Sequence, residues 1–177
     1  MITINYKIEF FTDWNCSSGL TGNADIDIAA LRDNDGFPYV PGKTVKGLLR
    51  DAARNLGETS EEKIFGSPNE KVDETEIEKA YFSNAELNEN VRKALKYDNE
   101  KKACLFREIA STAIGSDGVA KDNSLRKVEV AIPLTLFGTI ECEEMHKDTI
   151  SRCMKFIKRL GMERNRGLGR CEMSEVK

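Results

Sequence analysis

Apolar and polar residues alternate along the chain from residue 2 to residue 10. A period of two is typical of a β-strand that packs one face on a hydrophobic core. The alternation returns over residues 128–136 and resumes at Ile140, which predicts a second long strand. Pro133 falls inside that strand. Because proline has no backbone N–H, we expect the strand to lie near a sheet edge or to contain a bulge.

Two other segments show the spacing of an amphipathic helix. The first is expected to begin at Pro41 and to end at Gly57, since proline suits the start of a helix and glycine its end. The second is expected to end at Gly161. The predicted buried residues are Val45, Leu48, Leu49, Ala52 and Leu56 in the first helix, and Ile150, Cys153, Met154, Ile157 and Leu160 in the second.

Shorter elements are predicted between these segments. Residues 12–24 are small and polar, so we expect a loop that the side chain of Trp14 attaches to the core. Residues 34–36 have the composition of a turn. A short helix is expected from Ser60, and a short strand over residues 80–85.

The second half of the chain carries two expected additions. Residues 86–106 are rich in lysine, asparagine and glutamate and are interpreted as a peripheral insertion. Turn residues within 107–126 predict a hairpin that projects from the domain. Strand, helix and strand occur twice in order around these additions. This order predicts one α+β domain over residues 1–177, a sandwich of the ferredoxin-like or RRM-like kind.

Charge is distributed unevenly along the 177 residues, although the net charge is only −3. Residues 58–100 contain 12 acidic and 6 basic residues, whereas residues 151–177 contain 8 basic and 3 acidic residues. Local potential governs binding more than the total does, so the basic end is compatible with a polyanionic ligand. The five cysteines form no C-x-x-C pair, which argues against zinc and against a disulfide framework. No apolar run is long enough for a membrane span, and we expect a cytoplasmic protein.

Two basic surfaces are candidates for binding a polyanion. The first lies on one side of the predicted helix after Pro41, whose N-terminus is also a candidate anion site. The second is the glycine-rich loop near the end of the chain, where backbone can approach a ligand and arginine can bind phosphate through two hydrogen bonds. For both, the alternative is a solvated surface. The residues are Lys43, Lys46, Arg50 and Arg54 on the helix, and Arg164, Arg166 and Arg170 in the loop.

Acidic residues before the first helix are candidates for catalysis or for binding a divalent metal. The alternative is that they cap turns and keep the loop soluble. His146, the only histidine, is interpreted as an exposed surface residue. Gly42-Lys43-Thr44 does not make a phosphate-binding loop, because the required glycine five residues earlier is Phe37. The acidic residues are Asp25, Asp27, Asp33 and Asp35.

The segment GFPYVPGKTVKGLLR, residues 36–50, resembles the G-x-P-Y-I-P-G-S-S-L-K-G-x-L-R signature of the RAMP superfamily of CRISPR-associated proteins. Shorter segments, IFGS, YFSNAEL, SLRKVE and the ending LGMERNRGLGR, resemble further motifs of that family in the same order. Lys43-Thr44 replaces the serine pair of the signature. The resemblance implies a modified RRM-like fold in a backbone subunit of a type III effector complex.

The resemblance also implies partners and roles. The partners would be CRISPR RNA, target RNA and other effector subunits, including copies of this chain. Asp27 falls where the family carries an aspartate that cleaves bound target RNA with Mg²⁺ or another divalent cation, and Asp25 is the second candidate. The hairpin near Gly115 to Arg126 would space the target strand. The implied RNA-binding residues are Lys43, Thr44, Lys46, Arg50, Arg54, Lys121, Arg126, Arg164, Arg166 and Arg170.

Two alternatives remain open from the sequence. The chain is short for a target-cleaving subunit, which favours a structural subunit that cuts nothing. A metal-independent endoribonuclease that processes guide RNA is the other alternative, and its chemistry would use His146.

Overall fold

The computed structural model describes residues 1–17, 26–66 and 80–176, so Asp25 lies outside the described residues. The strands are β1 (Ile2–Phe10), β2 (Tyr81–Phe82), β3 (Glu86–Leu87), β4 (Phe106–Ser111), β5 (Arg126–Ala131), β6 (Thr135–Cys142) and β7 (Cys171–Glu175). The helices are α1 (Gly42–Leu56), α2 (Glu61–Phe65), α3 (Glu89–Leu95), α4 (Asn99–Ala103) and α5 (Lys147–Phe156). Two short 3-10 helices cover Glu144–His146 and Arg164–Arg166.

An antiparallel sheet forms the centre of the molecule, in the order β2–β6–β1–β7, and β3 also pairs with β6. If β2 and β3 together count as the second strand, the spatial order is fourth, first, third, second. That order, with α1 after the first strand and α5 after the third, is the ferredoxin-like βαββαβ arrangement. The predicted α+β sandwich is confirmed.

The hydrophobic core lies between the sheet and the two long helices. Ile4, Tyr6, Ile8 and Phe10 of β1 are buried, and the residues between them are not, as the alternation predicts. Burial raises the pKa of the Tyr6 hydroxyl. The helices contribute Val45, Leu49, Ala52 and Ala53 from α1 and Ile150, Cys153 and Met154 from α5.

The first helix ends where the sequence predicts. Gly57 adopts a left-handed φ of 70° and its N–H bonds the carbonyl of Arg54. Leu56, predicted to be buried, is 41% exposed, and Ala53 takes its place in the core. The second long helix ends at Phe156, before Gly161, because residues 158–160 leave the helix to pair with residues 169–171.

The predicted strand over residues 128–136 is in fact two strands in two different sheets. β5 pairs with β4 in a separate two-stranded sheet, whereas β6 pairs with β1. Pro133 lies between them, where the absence of an N–H costs no ladder hydrogen bond. The prediction of one continuous strand was therefore wrong, and the proline marks the point at which the chain changes sheets.

β4 and β5 pair as a hairpin that includes residues 107–126, for which a hairpin is predicted, and its strands extend to Phe106 and Ala131. The predicted insertion over 86–106 contains α3 and α4, neither of which has a buried residue, although Leu105 and Phe106 belong to the core. The division of the chain into one domain with an insertion stays a prediction.

Trp14 attaches the start of its loop to both sheets, as expected. Its ring stacks on Phe10 with centroids 4.4 Å apart, and its Nε1 donates a hydrogen bond to the carbonyl of Ile132 at 3.1 Å. Within the described residues, no helix has the length and apolar character needed to span a membrane.

Two glycines with similar backbone provide a test of how tightly the chain is packed near its end. Gly169 and Gly167 have φ of 68° and 94°, but a Cβ on Gly169 would lie 1.9 Å from the carbonyl oxygen of Leu160, and one on Gly167 would meet nothing within 4 Å. Gly167→Ala should cost about 1–2 kcal/mol for the left-handed backbone alone. Gly169→Ala should cost about 1–3 kcal/mol more, measured by urea unfolding. Equal losses would contradict this packing.

Candidate nucleic-acid interface

A groove of about 620 Å³ separates the start of α1 from the turn that precedes β7. Thr44 and Leu48 of α1 form one wall, and residues 161–166 form the other. Cys16 also lines the groove, and burial and the neighbouring Cys171 raise the pKa of its thiol to about 12. This thiol is therefore a poor nucleophile at neutral pH. The charged residues that line the groove are Glu163, Arg164 and Arg166.

The terminal turn directs its arginines outward because its backbone is held at both ends. Glu163 has a left-handed φ of 53°, and its carbonyl accepts the N–H of Arg166 at 2.7 Å. The guanidinium of Arg159 donates a hydrogen bond to the carbonyl of Arg164. Arg164 and Arg166 are both exposed, and Arg166 pairs with the carboxylate of Glu163 at 3.1 Å.

A second cavity of about 260 Å³ continues from the groove past Arg166. Its walls are apolar, formed by residues such as Ile109 and Val128, and its rim carries Asp27, Arg126, Glu163 and Arg166. A third cavity shares Arg126 and Arg166 and extends toward the tip of the β4–β5 hairpin. Arg166 lines all three cavities, so they form one connected surface.

Asp27 is held beside β5 by its own backbone and side chain. Its N–H donates to the carbonyl of Lys127 at 3.0 Å, and its Oδ2 accepts the N–H of Lys127 at 2.8 Å. The other carboxylate oxygen has no such bond to Lys127. Mg²⁺ is often bound by one or two carboxylates with phosphate and water completing its shell, and Asp27 fits that role. The described residues contain no group of three or more His, Cys, Asp or Glu that could hold a metal.

The other two acidic candidates in the described chain are structural. Asp33 Oδ1 accepts the N–H groups of Asp35 and Phe37, each at 2.9 Å, which closes the predicted turn. Arg92 of α3 bonds Asp33 and also bonds Asp35 at 3.2 Å. For these two residues the capping interpretation applies rather than the catalytic one.

The basic side of α1 does not line the groove. Of the residues predicted on the helix, only Thr44 faces the arginine turn. Lys43 is exposed, Lys46 and Arg50 are half-buried, and Arg54 lies 2.7 Å from the carboxylate of Glu61. These cationic residues lie on the solvent-facing side of α1 and do not line the groove.

The start of α1 is less available to an anion than the sequence suggests. Gly42 is buried, and its N–H already donates to the side-chain oxygen of Asn84 at 3.0 Å. The predicted anion site is therefore wrong at this amide, because the loop between β2 and β3 covers it.

Three remaining candidates lie away from the connected cavities. Lys121 is exposed near the hairpin tip. Arg170 is exposed directly before β7, where its backbone forms a β-bridge with Arg159. Neither lines the three cavities described above. His146 is only 2% exposed, which corrects the prediction of a surface residue. It precedes α5 and packs into the core side of the fold.

The outer face of the central sheet is the surface that RRM domains use to stack bases. Here that face carries Phe137 among mostly neutral polar residues, and its charged residues on β1, β6 and β7 are Lys7 and three glutamates, Glu9, Glu141 and Glu172. Its charge disfavours a polyanion. The arginine surface is therefore the better candidate for RNA.

A model of the RAMP superfamily matches residues 7–172. The chain belongs to the RAMP superfamily. The resemblance inferred from the motifs is thereby confirmed. No sequence among the curated proteins matches this RAMP chain.

Two solved structures share the fold. The cryo-EM structure of the type III-B Cmr-beta complex bound to cognate target RNA contains a chain that is 11% identical, with a TM-score of 0.77, covering 99% of this chain and 97% of that one. The apo state of the type III-B Cmr-beta complex contains one that is 14% identical, with a TM-score of 0.73, covering 99% and 98%. At these identities the likeness demonstrates the RAMP fold alone.

Several polar residues of this surface were not predicted from the sequence, and Glu163 is the charged one among them. Glu163 lines both the groove and the Asp27 cavity, and it pairs with Arg166. Its position as an acidic residue inside the glycine- and arginine-rich loop is the sequence feature that could have identified it.

Asp27 contributes little to folding in this geometry. Asp27→Ala removes one side-chain hydrogen bond at an exposed position, so the free energy of unfolding should fall by about 1 kcal/mol or less. Asp27→Asn keeps an acceptor oxygen for Lys127 and should lose less. Urea unfolding measures both, and a loss of several kcal/mol in either variant would contradict this description.

Proposed function

We propose that this RAMP protein binds the guide RNA as a subunit of a type III CRISPR effector complex. Family membership supports the proposal, as does the shared fold with chains of a type III-B complex whose structure includes target RNA. Other effector subunits, including copies of this chain, would be its protein partners.

The observation that carries the proposal is the position of Arg166, which joins the α1 groove to the cavity that contains Asp27 and Arg126. A ribose-phosphate strand that follows this surface meets cations from the terminal turn and from the base of the hairpin. The hydroxyl of Thr44 adds a hydrogen-bond partner on the opposite wall. Contacts of this kind read the backbone, so binding is largely independent of sequence.

The outer cations extend this surface in the proposal. Lys121 would contact the strand near the hairpin tip, and Arg170 would do so beyond the terminal turn. The helix residues Lys43, Lys46, Arg50 and Arg54 would attract RNA from the outer side of α1 and steer it toward the groove.

We propose further that Asp27 cleaves bound target RNA. In-line attack by a ribose 2′-oxygen on the adjacent phosphorus breaks the bond to the 5′-oxygen and leaves a cyclic phosphate. The attacking hydroxyl loses its proton to Asp27 or to solvent, and the leaving oxygen gains one. A divalent cation, held by Asp27 and the RNA phosphate, would neutralise developing charge. Arg126 and Arg166 lie on the same rim to stabilise that charge.

A structural subunit that cuts nothing is the second candidate. This candidate is favoured because Asp27 supplies only one carboxylate, and one oxygen of that carboxylate already accepts a backbone hydrogen bond. A guide-processing endoribonuclease that depends on His146 has less support, because that imidazole is buried and outside the three cavities.

RNA affinity should depend on the terminal turn and on salt. Arg164→Ala with Arg166→Ala should weaken binding by about 30- to 900-fold, since each charge-assisted contact contributes about 1–2 kcal/mol. The slope of log affinity against log salt should also fall by about 1.4, at about 0.7 per lost phosphate contact. Filter binding across a salt series measures both quantities.

Lys7→Ala provides the matched control, because Lys7 lies on the outer face of the sheet. Its affinity and salt slope should equal those of the wild type. If Lys7→Ala weakens binding more than the double arginine variant does, the proposed interface is wrong.

Cleavage should require Asp27 and a divalent cation. Asp27→Asn should abolish cutting of a target RNA paired with its guide, with RNA affinity unchanged, and EDTA should have the same effect on the wild type. Asp148→Asn, an exposed aspartate on α5, is the control and should cut normally. Normal cutting by Asp27→Asn would favour the structural subunit or another catalytic residue.

A further inference from the structure

We infer that Glu129 is the positioning residue that sets Asp27 in its cleavage geometry. The inference rests on the proposed cleavage at Asp27. It concerns how residues 27–32, which cross the edge of the hairpin sheet, are attached to β5.

The carboxylate of Glu129 holds this segment through two partners at once. Its Oε1 lies 2.7 Å from Nη2 of Arg32, and its Oε2 accepts the N–H of Ala30 at 3.2 Å. The Glu129 side chain is only 12% exposed, whereas that of Arg32 is 39% exposed, so solvent screens the ion pair more than the bond to Ala30. One side chain thus binds both a backbone and a side-chain group of the segment, C-terminal to Asp27.

Arg32 is held in turn by an aromatic ring. Its guanidinium carbon lies 3.5 Å from the centroid of the Phe106 ring, within the range of a cation–π contact. Phe106 is part of β4 and is buried in the core. Both partners of the ion pair are therefore held by the hairpin sheet: Glu129 belongs to β5, and Arg32 contacts Phe106 of β4.

The backbone contacts place Asp27 in register with β5. Ile28 forms a parallel bridge with Val128, and the N–H of Glu129 donates to the carbonyl of Ile28 at 2.9 Å. Asp27 then meets Lys127 through its two hydrogen bonds. If the Ala30 and Arg32 attachments weaken, the short ladder at Asp27 loses its C-terminal support.

The charge on Glu129 has no evident role in stabilising the hairpin itself. Glu108 is directly opposite it on β4, and like charges at such positions destabilise a strand pair. Arg32 offsets that repulsion only while residues 27–32 lie along β5. The arrangement thus serves the segment that carries Asp27.

Glu129→Gln keeps the shape of the side chain but removes the ion pair. Amide hydrogen exchange at Asp27 and Ala30 should become about tenfold faster, because these bonds open locally more often. Single-turnover cleavage at saturating Mg²⁺ should slow by at least about tenfold, since small misplacements of a reacting group have large effects on rate. The Kd for RNA should stay within about twofold, because phosphate contacts determine it.

Glu172→Gln is the control, an exposed glutamate on β7 of the central sheet rather than on the hairpin sheet. It should leave exchange and cleavage unchanged. Arg32→Ala should reproduce the effect of Glu129→Gln, and the double variant should add little to either, as expected for one coupled pair.

The two readouts separate this inference from the proposed function. Unchanged exchange at Asp27 and Ala30 in Glu129→Gln overturns the inference, whether or not the wild type cuts RNA. Faster exchange with unchanged cleavage overturns it as well. If the wild type does not cut RNA under any condition, the proposed catalysis fails, and exchange alone decides whether Glu129 positions the segment.

Discussion

The candidate interface depends on one short set of backbone hydrogen bonds near the end of the chain. Residues 158–160 pair with residues 169–171, through Leu160 to Gly169 at 2.9 Å and Cys171 to Lys158 at 3.0 Å. Two further backbone hydrogen bonds attach the terminal turn to the segment that follows β1. The N–H of Met162 donates to the carbonyl of Asn15, and the N–H of Gly169 donates to the carbonyl of Asp13. These bonds bring a sequence-distant arginine turn against the start of α1. Without them the arginines would lie on an unconstrained loop.

A second constraint comes from the change of sheet at Pro133. The central sheet uses its inner face for the core, and the charged residues of its outer face are one lysine and three glutamates, a balance that disfavours RNA. By leaving that sheet, the β4–β5 hairpin supplies a separate edge on which Asp27 and its neighbours can lie beside Arg126 and Arg166. A protein of net charge −3 thereby presents a local cationic surface, and local potential rather than total charge governs encounter with RNA.

Much of the fold was accessible from the sequence, because alternation and helical spacing report directly on burial. The long strand at the N-terminus, both long helices and the α+β order follow from them. The C-terminal end of α5 could not be predicted in this way, because residues 158–160 leave the helix to form a tertiary contact that has no local sequence signal. Helical spacing identified the basic side of α1, but it does not show which part of the fold that side faces. Thr44, at the margin of the basic residues, faces the arginines instead. His146 was misjudged for the same reason: acidic neighbours in sequence do not report burial in space.

In the proposed complex, RNA lies along the surface joined by Arg166. Photocrosslinking with guide RNA that contains 4-thiouridine, followed by mass spectrometry of the crosslinked peptides, locates the bound strand. Crosslinks are expected within residues 161–168 and within the β4–β5 hairpin. Crosslinks confined to the outer face of the central sheet, around Lys7 and Phe137, would contradict this placement.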